Sequence, residues 1–416
     1  HFAKLWEDFT MICQEHDMQY RLQIWFFKNR FRVEYKGVNL DTLQDLSDKI
    51  KKDKIDIQIL IDNGVVKKNE LVKILGRGEI SKKIDITAHA FSASAVEAIE
   101  KSARIAAKEA SAAGITWTFA PMIDISRDPR WGRVMEGGGE DPFLGSRIAE
   151  ARVKGFQGTN LSDANTIIAC AKHFAAYGFS EAGKEYNTVD IGNSTLYNTV
   201  LPPFRAAEKA GVRTFMNAFN DLNGVPASTN TFLQRDILKG KWNFNGFVVS
   251  DWASINEAIF WGQAKDKKEA AYLASKAGSD MDMEGYVYIN ELAKLVKEGK
   301  VNESIINDAV KRILRVKLEL GLFENPYKYC NEAREKSEIG SDSNHEAVLD
   351  MAKKSVVLLK NDTQLLPLKK KGQKIALIGP LAADDNSPLG SWRLASDDYS
   401  AVSVLQGMKS YKANKL

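Results

Sequence analysis

Phe247-Val248-Val249-Ser250-Asp251-Trp252 is the stretch on which the fold turns. Gly246 opens an apolar run that breaks off in a serine, a carboxylate and an indole. A short apolar run bounded in this way reads as a buried strand. In a parallel α/β barrel, catalytic side chains stand at strand C-termini. An aromatic face beside such a carboxylate suits the apolar C–H surface of a sugar. Taken alone, Asp251 also reads as the cap of a helix starting near Ala253. Its neighbours along the chain shift the balance towards the first reading.

Working outward, short apolar runs alternate with helical patterns from about Ser102. Val96 to Ala113 reads as a helix closed by Gly114, and Ile115 to Ala120 as a strand. Thr166 to Ala171 is a strand expected to end in Lys172-His173-Phe174, and Arg213 to Ala218 one that ends in Phe219-Asn220. Ser279 to Met283 resembles a further strand. Lys267 to Ala277 and Asn302 to Leu320 have helical periodicity. Strand-helix alternation argues for a parallel sheet wrapped by helices. Polar residues at each strand end place a site on one face.

Composition narrows the function classes. The chain has 416 residues, 44% hydrophobic and 27% charged, enough for two or three domains. No apolar run approaches the ~18 residues that a membrane helix needs. A formal charge of +4 is too small to imply a nucleic-acid partner. Cys13, Cys170 and Cys330 are far apart and specify neither a disulfide framework nor a metal site. Five scattered histidines add no zinc pattern. Gly76-Arg77-Gly78 and Gly137-Gly138-Gly139 lack the spacing of phosphate loops and read as turns. No cofactor is expected. His1-Phe2-Ala3-Lys4 carries no signal-peptide pattern, so no localisation follows.

Several long motifs in order carry a resemblance. They are Phe119-Ala120-Pro121, Arg127-Asp128-Pro129-Arg130-Trp131-Gly132-Arg133, Gly139-Glu140-Asp141-Pro142 and Ala171-Lys172-His173-Phe174. Phe215-Met216-Asn217, Asn223-Gly224 and Ser250-Asp251-Trp252 follow. From about Glu97 to the end, the chain resembles glycoside hydrolase family 3, in particular its broad-specificity β-glucosidases. The resemblance implies that Asp251 is the catalytic nucleophile of a retaining, exo-acting enzyme. It makes Arg133, Lys172 and His173 ligands of the sugar hydroxyls, with Met216 and Trp252 lining the same pocket. The substrate implied is a β-linked gluco-oligosaccharide or an aryl or alkyl β-glucoside. The chemistry agrees: a retaining glycosidase needs an ionised carboxylate, and Lys172 and Arg133 would favour that ionised form. Read singly, Arg133 is equally a salt bridge and His173 a satisfied core histidine.

Two departures matter. The hexosaminidase branch of the family carries a second His where this chain has Tyr177, so that branch is rejected. The tyrosine that many members place three residues after the Met is Phe219 here, which removes a hydroxyl near the nucleophile. Many relatives are periplasmic.

A second resemblance covers about residues 27–100. Phe27-Lys28-Asn29, Val33-Glu34-Tyr35-Lys36, Leu71-Val72-Lys73-Ile74-Leu75-Gly76 and Ala88-His89-Ala90-Phe91-Ser92 are similar to the fifteenth protein of the bacterial large ribosomal subunit. The family's basic Gly/Arg-rich extension is missing, and charges over residues 1–100 roughly cancel. Phosphate contacts, and hence RNA affinity, should be weak. The two resemblances meet at Glu97-Ala98-Ile99-Glu100-Lys101, as in a chimera. The alternative function is therefore a ribosomal RNA-binding protein carrying a glycosidase fragment.

The fold class expected is α/β: an incomplete (β/α)8 TIM-type barrel over 101–325, a linker over 326–370, and the start of an α/β sandwich domain over 371–416. Lys374 to Pro380 is the expected first strand of the last. The ribosomal-protein-like α/β segment over 27–100 precedes the barrel, and 1–26 is unassigned. Retaining hydrolysis needs a second carboxyl about 5 to 5.5 Å from the nucleophile. The resemblance assigns that role to none of Glu140, Glu181 and Glu185, so the chain as written is expected to be inactive. Oligomeric state is not readable.

Overall fold

The computed structural model describes residues 35–411 except 52–53, 56, 69, 76–84, 87–89, 92, 357, 363, 370, 391 and 393–397. The unassigned stretch 1–26 and the Gly76-Arg77-Gly78 turn lie outside the described residues. The chain divides into two units, His1–Met351 and Ala352–Leu416.

The first unit opens with β1 (Tyr35–Asn39), α1 (Leu40–Ile50), β2 (Lys54–Ile55), α2 (Ile57–Asp62), β3 (Leu71–Leu75), β4 (Asp85–Ile86) and β5 (Ala90–Phe91). Strands β1, β3 and β5 form one parallel sheet and β2 pairs with β4. Val38, Leu43, Leu46, Ile55, Leu60, Val66 and Val72 make a small core of their own. Of Asn39 and Asp41, the two residues that the sequence offers as cap of this helix, Asn39 stands at the N-cap of α1, and its side chain makes no cap hydrogen bond.

Then come α3 (Ala93–Ala112), α4 (Pro142–Gln157), β6 (Cys170–Phe174), α5 (Leu201–Lys209), β7 (Thr214–Asn217), β8 (Asp221–Leu222), β9 (Val225–Pro226) and β10 (Phe247–Val249). Helices α6 (Ser254–Phe260), α7 (Lys267–Ala277), α8 (Val287–Lys297), α9 (Glu303–Glu319), α10 (Glu332–Glu338) and α11 (Asp342–Ser355) follow. Strands β6, β7 and β10 lie parallel in the order β10-β7-β6. Single bridges extend this sheet at both sides: Trp117 to Ile168 and Met122 to Lys172 beyond β6, and Val249 to Met281 beyond β10. Among the described residues, no ladder joins it to the sheet of β1, β3 and β5.

The expected strand Ile115 to Ala120 is therefore an irregular extended segment. It still pairs: Thr118 N–H donates to Ile168 O at 3.0 Å, and Cys170 N–H to Ala120 O at 2.8 Å. Ser279 to Met283 likewise forms a bridge at Met281 but no ladder among the described residues: Ser250 N–H donates to Met281 O at 2.9 Å, Asp280 N–H to Val248 O at 2.8 Å and Ala253 N–H to Met283 O at 2.8 Å. Strand β6 sits later than Thr166 to Ala171, because Lys172 and His173 belong to the strand. Their polarity had read as its end.

Local chemistry sets the helix boundaries. Pro142 opens α4 behind Asp141, whose Oδ1 accepts from Phe143 N–H at 2.8 Å. Helix α4 packs against α3, and Gly155 permits the approach: a Cβ there would lie 2.4 Å from Glu100 O. At Gly246 a Cβ would meet Arg213 O at 2.0 Å, so only glycine can lead into β10 beside β7. Arg312 of α9 anchors the same corner, donating to Phe244 O at 2.8 Å and Gly246 O at 3.0 Å. Asp266 caps α7 by accepting from Glu269 N–H at 2.8 Å. Asp266→Ala is expected to cost about 1 kcal/mol; urea unfolding with no change beyond error would refute that role.

The expected linker over 326–370 is corrected in its first half, which carries α10 and α11. Arg334 of α10 donates to Ser111 Oγ at 2.6 Å, Ala164 O at 2.7 Å and Asn165 Oδ1 at 2.9 Å. Asn344 Nδ2 donates to Glu109 Oε1 at 2.8 Å. Polar anchors to α3 do this work, so no apolar stripe announced it.

The second unit holds α12 (Val404–Lys409), with a reciprocal capping box between Ser403 and Gln406. Lys374 to Pro380, expected as a strand, forms no ladder among the described residues, where only Lys374 is at a bridge. Ile378 is 88% exposed, so no neighbouring strand or sheet covers it.

Candidate active site

Parallel pairing puts the C-terminal ends of β6, β7 and β10 at one edge. Lys172 and His173 of β6, Met216 of β7 and Asp251 just beyond β10 thereby come to the same end of the sheet. The peptide bonds Lys172–His173 and Phe174–Ala175 are cis.

Asp251 is 8% exposed. Its Oδ1 accepts from Trp252 N–H at 2.7 Å. Its Oδ2 is buried without a hydrogen-bond partner, 3.6 Å from His173 Nε2, which also has none. The helix-cap reading fails: α6 begins at Ser254 behind Ala253, with no side-chain cap bond. Ser250 holds the turn, with Oγ accepting from Met283 N–H at 2.8 Å. Burial pushes the Asp251 carboxyl up, while His173, the Trp252 N–H, Lys172 and Arg133 pull it back.

His173 is fully buried. Its Nδ1 lies 2.8 Å from Asp124 Oδ2, and its backbone N–H donates to the same oxygen at 2.9 Å. The satisfied-core reading thus covers one ring nitrogen; the other faces Asp251. Arg133 does form the salt bridge that it could have had for a bland reason. Its Nε donates to Glu136 Oε1 at 2.8 Å and its Nη2 to Oε2 at 3.0 Å. Burial opposes its charge, but Glu136 outweighs burial and lifts the guanidinium above its ordinary value. The guanidinium also stands over the Tyr177 ring, 5.6 Å from its centre. Burial pushes the Lys172 ammonium down, with Arg133 adding to the effect.

Met216 and Trp252 differ in placement. Met216 packs in the core with Cys170, Phe247 and Val249. Trp252, next to Asp251 in the chain, is 63% exposed. Phe219 stacks between Tyr177 and Tyr186, with ring centres at 5.9 and 4.5 Å.

Sequence reasoning missed four participants. Asp124, behind the apolar pair Met122-Ile123, carries the same strand-end signal as Asp251. Glu136 follows Arg133 by three residues. Tyr177 donates its hydroxyl to Glu185 and packs edge-on to His173, centres 5.3 Å apart. Glu257 lies on α6, where burial and then the charge of Asp251 push its carboxyl up to about 7. Among the described residues, no group of three or more His, Cys, Asp or Glu is placed to hold a metal ion.

Residues 48–316 match the glycosyl hydrolase family 3 N-terminal domain, and 356–415 match the C-terminal domain of the same family. A periplasmic beta-glucosidase of Salmonella typhimurium is 42% identical over 321 residues, 76% of this chain and 41% of the relative. A beta-xylosidase of Formosa agariphila is 39% identical over 75% of this chain and 45% of its own length. The crystal structure of a beta-glucosidase from Listeria innocua in complex with glucose superposes with a TM-score of 0.74 at 42% identity, covering 77% of this chain and 44% of that one. The chain thus spans less than half the length of these relatives. The family match runs through most of the segment that resembles a ribosomal protein, and these relatives lend that resemblance no support. The chain belongs to glycosyl hydrolase family 3.

Proposed function

We propose that the protein is a retaining, exo-acting β-glucosidase in which Asp251 is the nucleophile. One observation carries this reading. A buried carboxylate at a strand end keeps one oxygen without a hydrogen-bond partner, turned towards His173, and the charges of Lys172 and Arg133 hold it towards ionisation. Asp251 Oδ would attack the anomeric carbon as the bond to the leaving oxygen breaks, giving a glycosyl ester that water then cleaves. Lys172 and Arg133 would donate to sugar hydroxyls, whereas His173, expected to do the same, faces Asp124 with one ring nitrogen and Asp251 with the other and would orient the carboxylate instead. Trp252 would stack on the ring, and Met216 would form the packed floor beneath it. The fold that presents them is read as a (β/α)8-type barrel, with 371–416 as part of an α/β sandwich. The substrate class is a β-linked gluco-oligosaccharide or a simple β-glucoside.

The test avoids the acid/base residue. 2,4-Dinitrophenyl 2-deoxy-2-fluoro-β-D-glucoside departs as a phenolate and needs no protonation. It should label the peptide containing Asp251 in one-to-one stoichiometry. Label on another carboxylate, or none, sinks the reading. The xyloside analogue run beside it reports the sugar preference.

A further inference from the structure

His173 stands between two buried carboxyls. On one side, Asp124 Oδ2 takes the backbone N–H at 2.9 Å and lies 2.8 Å from Nδ1. On the other, Nε2 faces Asp251 Oδ2 at 3.6 Å, and neither atom has another hydrogen-bond partner. The protons can be counted. With both carboxyls ionised and a neutral ring, Asp124 claims the ring hydrogen at Nδ1. Nε2 then turns a bare lone pair towards the carboxylate of Asp251. Two acceptors facing one another out of water are costly. One more proton, between Asp124 Oδ2 and Nδ1, removes the conflict, because the ring hydrogen then sits at Nε2.

We propose that Asp124 is a positioning residue that shares one proton with His173 and so fixes hydrogen at Nε2, directed at the Asp251 carboxylate 3.6 Å away. The proposal rests on Asp251 being the nucleophile. The surroundings favour the neutral acid and neutral ring over the carboxylate–imidazolium pair with the same proton count. Burial pushes the Asp124 carboxyl up to about 7, with Glu136 adding to it, against the His173 N–H, Arg133 and Lys172. Burial holds the imidazole well below its ordinary value. Arg133 and Lys172 add to that effect, and Asp251 and Glu136 oppose it. The shared proton is present below about pH 7 and is lost as pH rises through it. Above that, Nε2 is bare and the nucleophile loses its donor.

The experiment combines imidazole nitrogen NMR on the whole chain with the pH dependence of fluoroglucoside labelling. His173→Gln identifies the His173 signals among the five histidines. At pH 6, Nε2 should carry the hydrogen. By pH 8.5 it should sit on Nδ1, and the labelling rate should fall about tenfold with the same midpoint, the loss of one N–H donor. In Asp124→Asn, which cannot ionise, that midpoint should vanish. An Nδ1–H tautomer at every pH, or a midpoint kept in Asp124→Asn, overturns the proposal. If that variant does not fold, coincidence of the two midpoints in the parent decides alone. Absence of label at any pH would instead sink the glucosidase reading, while the nitrogen spectra still locate the proton.

Discussion

Asp251→Asn should abolish the burst of one dinitrophenolate per protein molecule from 2,4-dinitrophenyl β-glucoside, slowing it on the order of 10⁴-fold or more. Removing one member of a catalytic unit has effects of that order. An amide is isosteric with the carboxylate, so its oxygen still accepts the Trp252 N–H that Asp251 accepts at 2.7 Å. What disappears is the charge that attacks carbon. Stability should not suffer. Burial already works against the ionised form of Asp251, and a neutral amide has less to lose from leaving water. The melting temperature should therefore stay level or rise while the burst disappears. Asp251→Ala adds a sharper readout. Azide admitted to the vacated space should attack the same face of the sugar and release an α-glucosyl azide. A burst that survives in both variants would remove Asp251 from the chemistry.

The same site shows what a single sequence can and cannot disclose. Apolar runs that end abruptly, such as Phe247 to Val249, are legible because burial selects their composition. The residues just after them are legible as site candidates because side chains at the C-terminal ends of parallel strands share one face. Where chemistry intrudes into the strand itself, the reading slips. Lys172 and His173 lie inside β6, at a break in its pairing with β7, and their polarity sets the expected boundary too early. Partners are harder still. Asp124 reaches His173 across 49 residues, and the Tyr177–Glu185 contact supports a ring under Arg133. Neither pairing has a period or spacing. Docking of α10 through Arg334 is invisible for the same reason: one guanidinium finds four oxygens on 108–165. Conversely, Lys374 to Pro380 has strand composition but no ladder, because a strand exists only with a neighbour.

Lys239→Met is expected to give the largest loss of stability, about 3 to 5 kcal/mol. Lys239 lies on the π-type helix Phe232–Lys241. Its Nζ donates to Asp280 Oδ1 at 2.6 Å, to Oδ2 at 2.8 Å and to Gly278 O at 2.8 Å. Both side chains are almost fully buried. Asp280 Oδ2 also accepts from Val248 N–H at 2.8 Å, so the pair ties this helix to the strand that ends in Asp251. Burial pulls the Lys239 ammonium down to about 8, even with Asp280 holding it up. At neutral pH the Lys239 ammonium is therefore charged but costly to bury. Methionine fills similar volume and leaves the Asp280 carboxylate with one backbone donor. An uncompensated buried charge is what makes breaking such a pair expensive. Asp280→Asn on the same background removes that charge while keeping an acceptor for Val248, so the double variant should recover much of the loss. Chemical denaturation of the parent, both single variants and the double variant gives the coupling. A loss under 1 kcal/mol for Lys239→Met, or strict additivity, would show that the pair does not brace β10. Because β10 leads into Asp251, the labelling rate there should fall with the single substitution and return with the double.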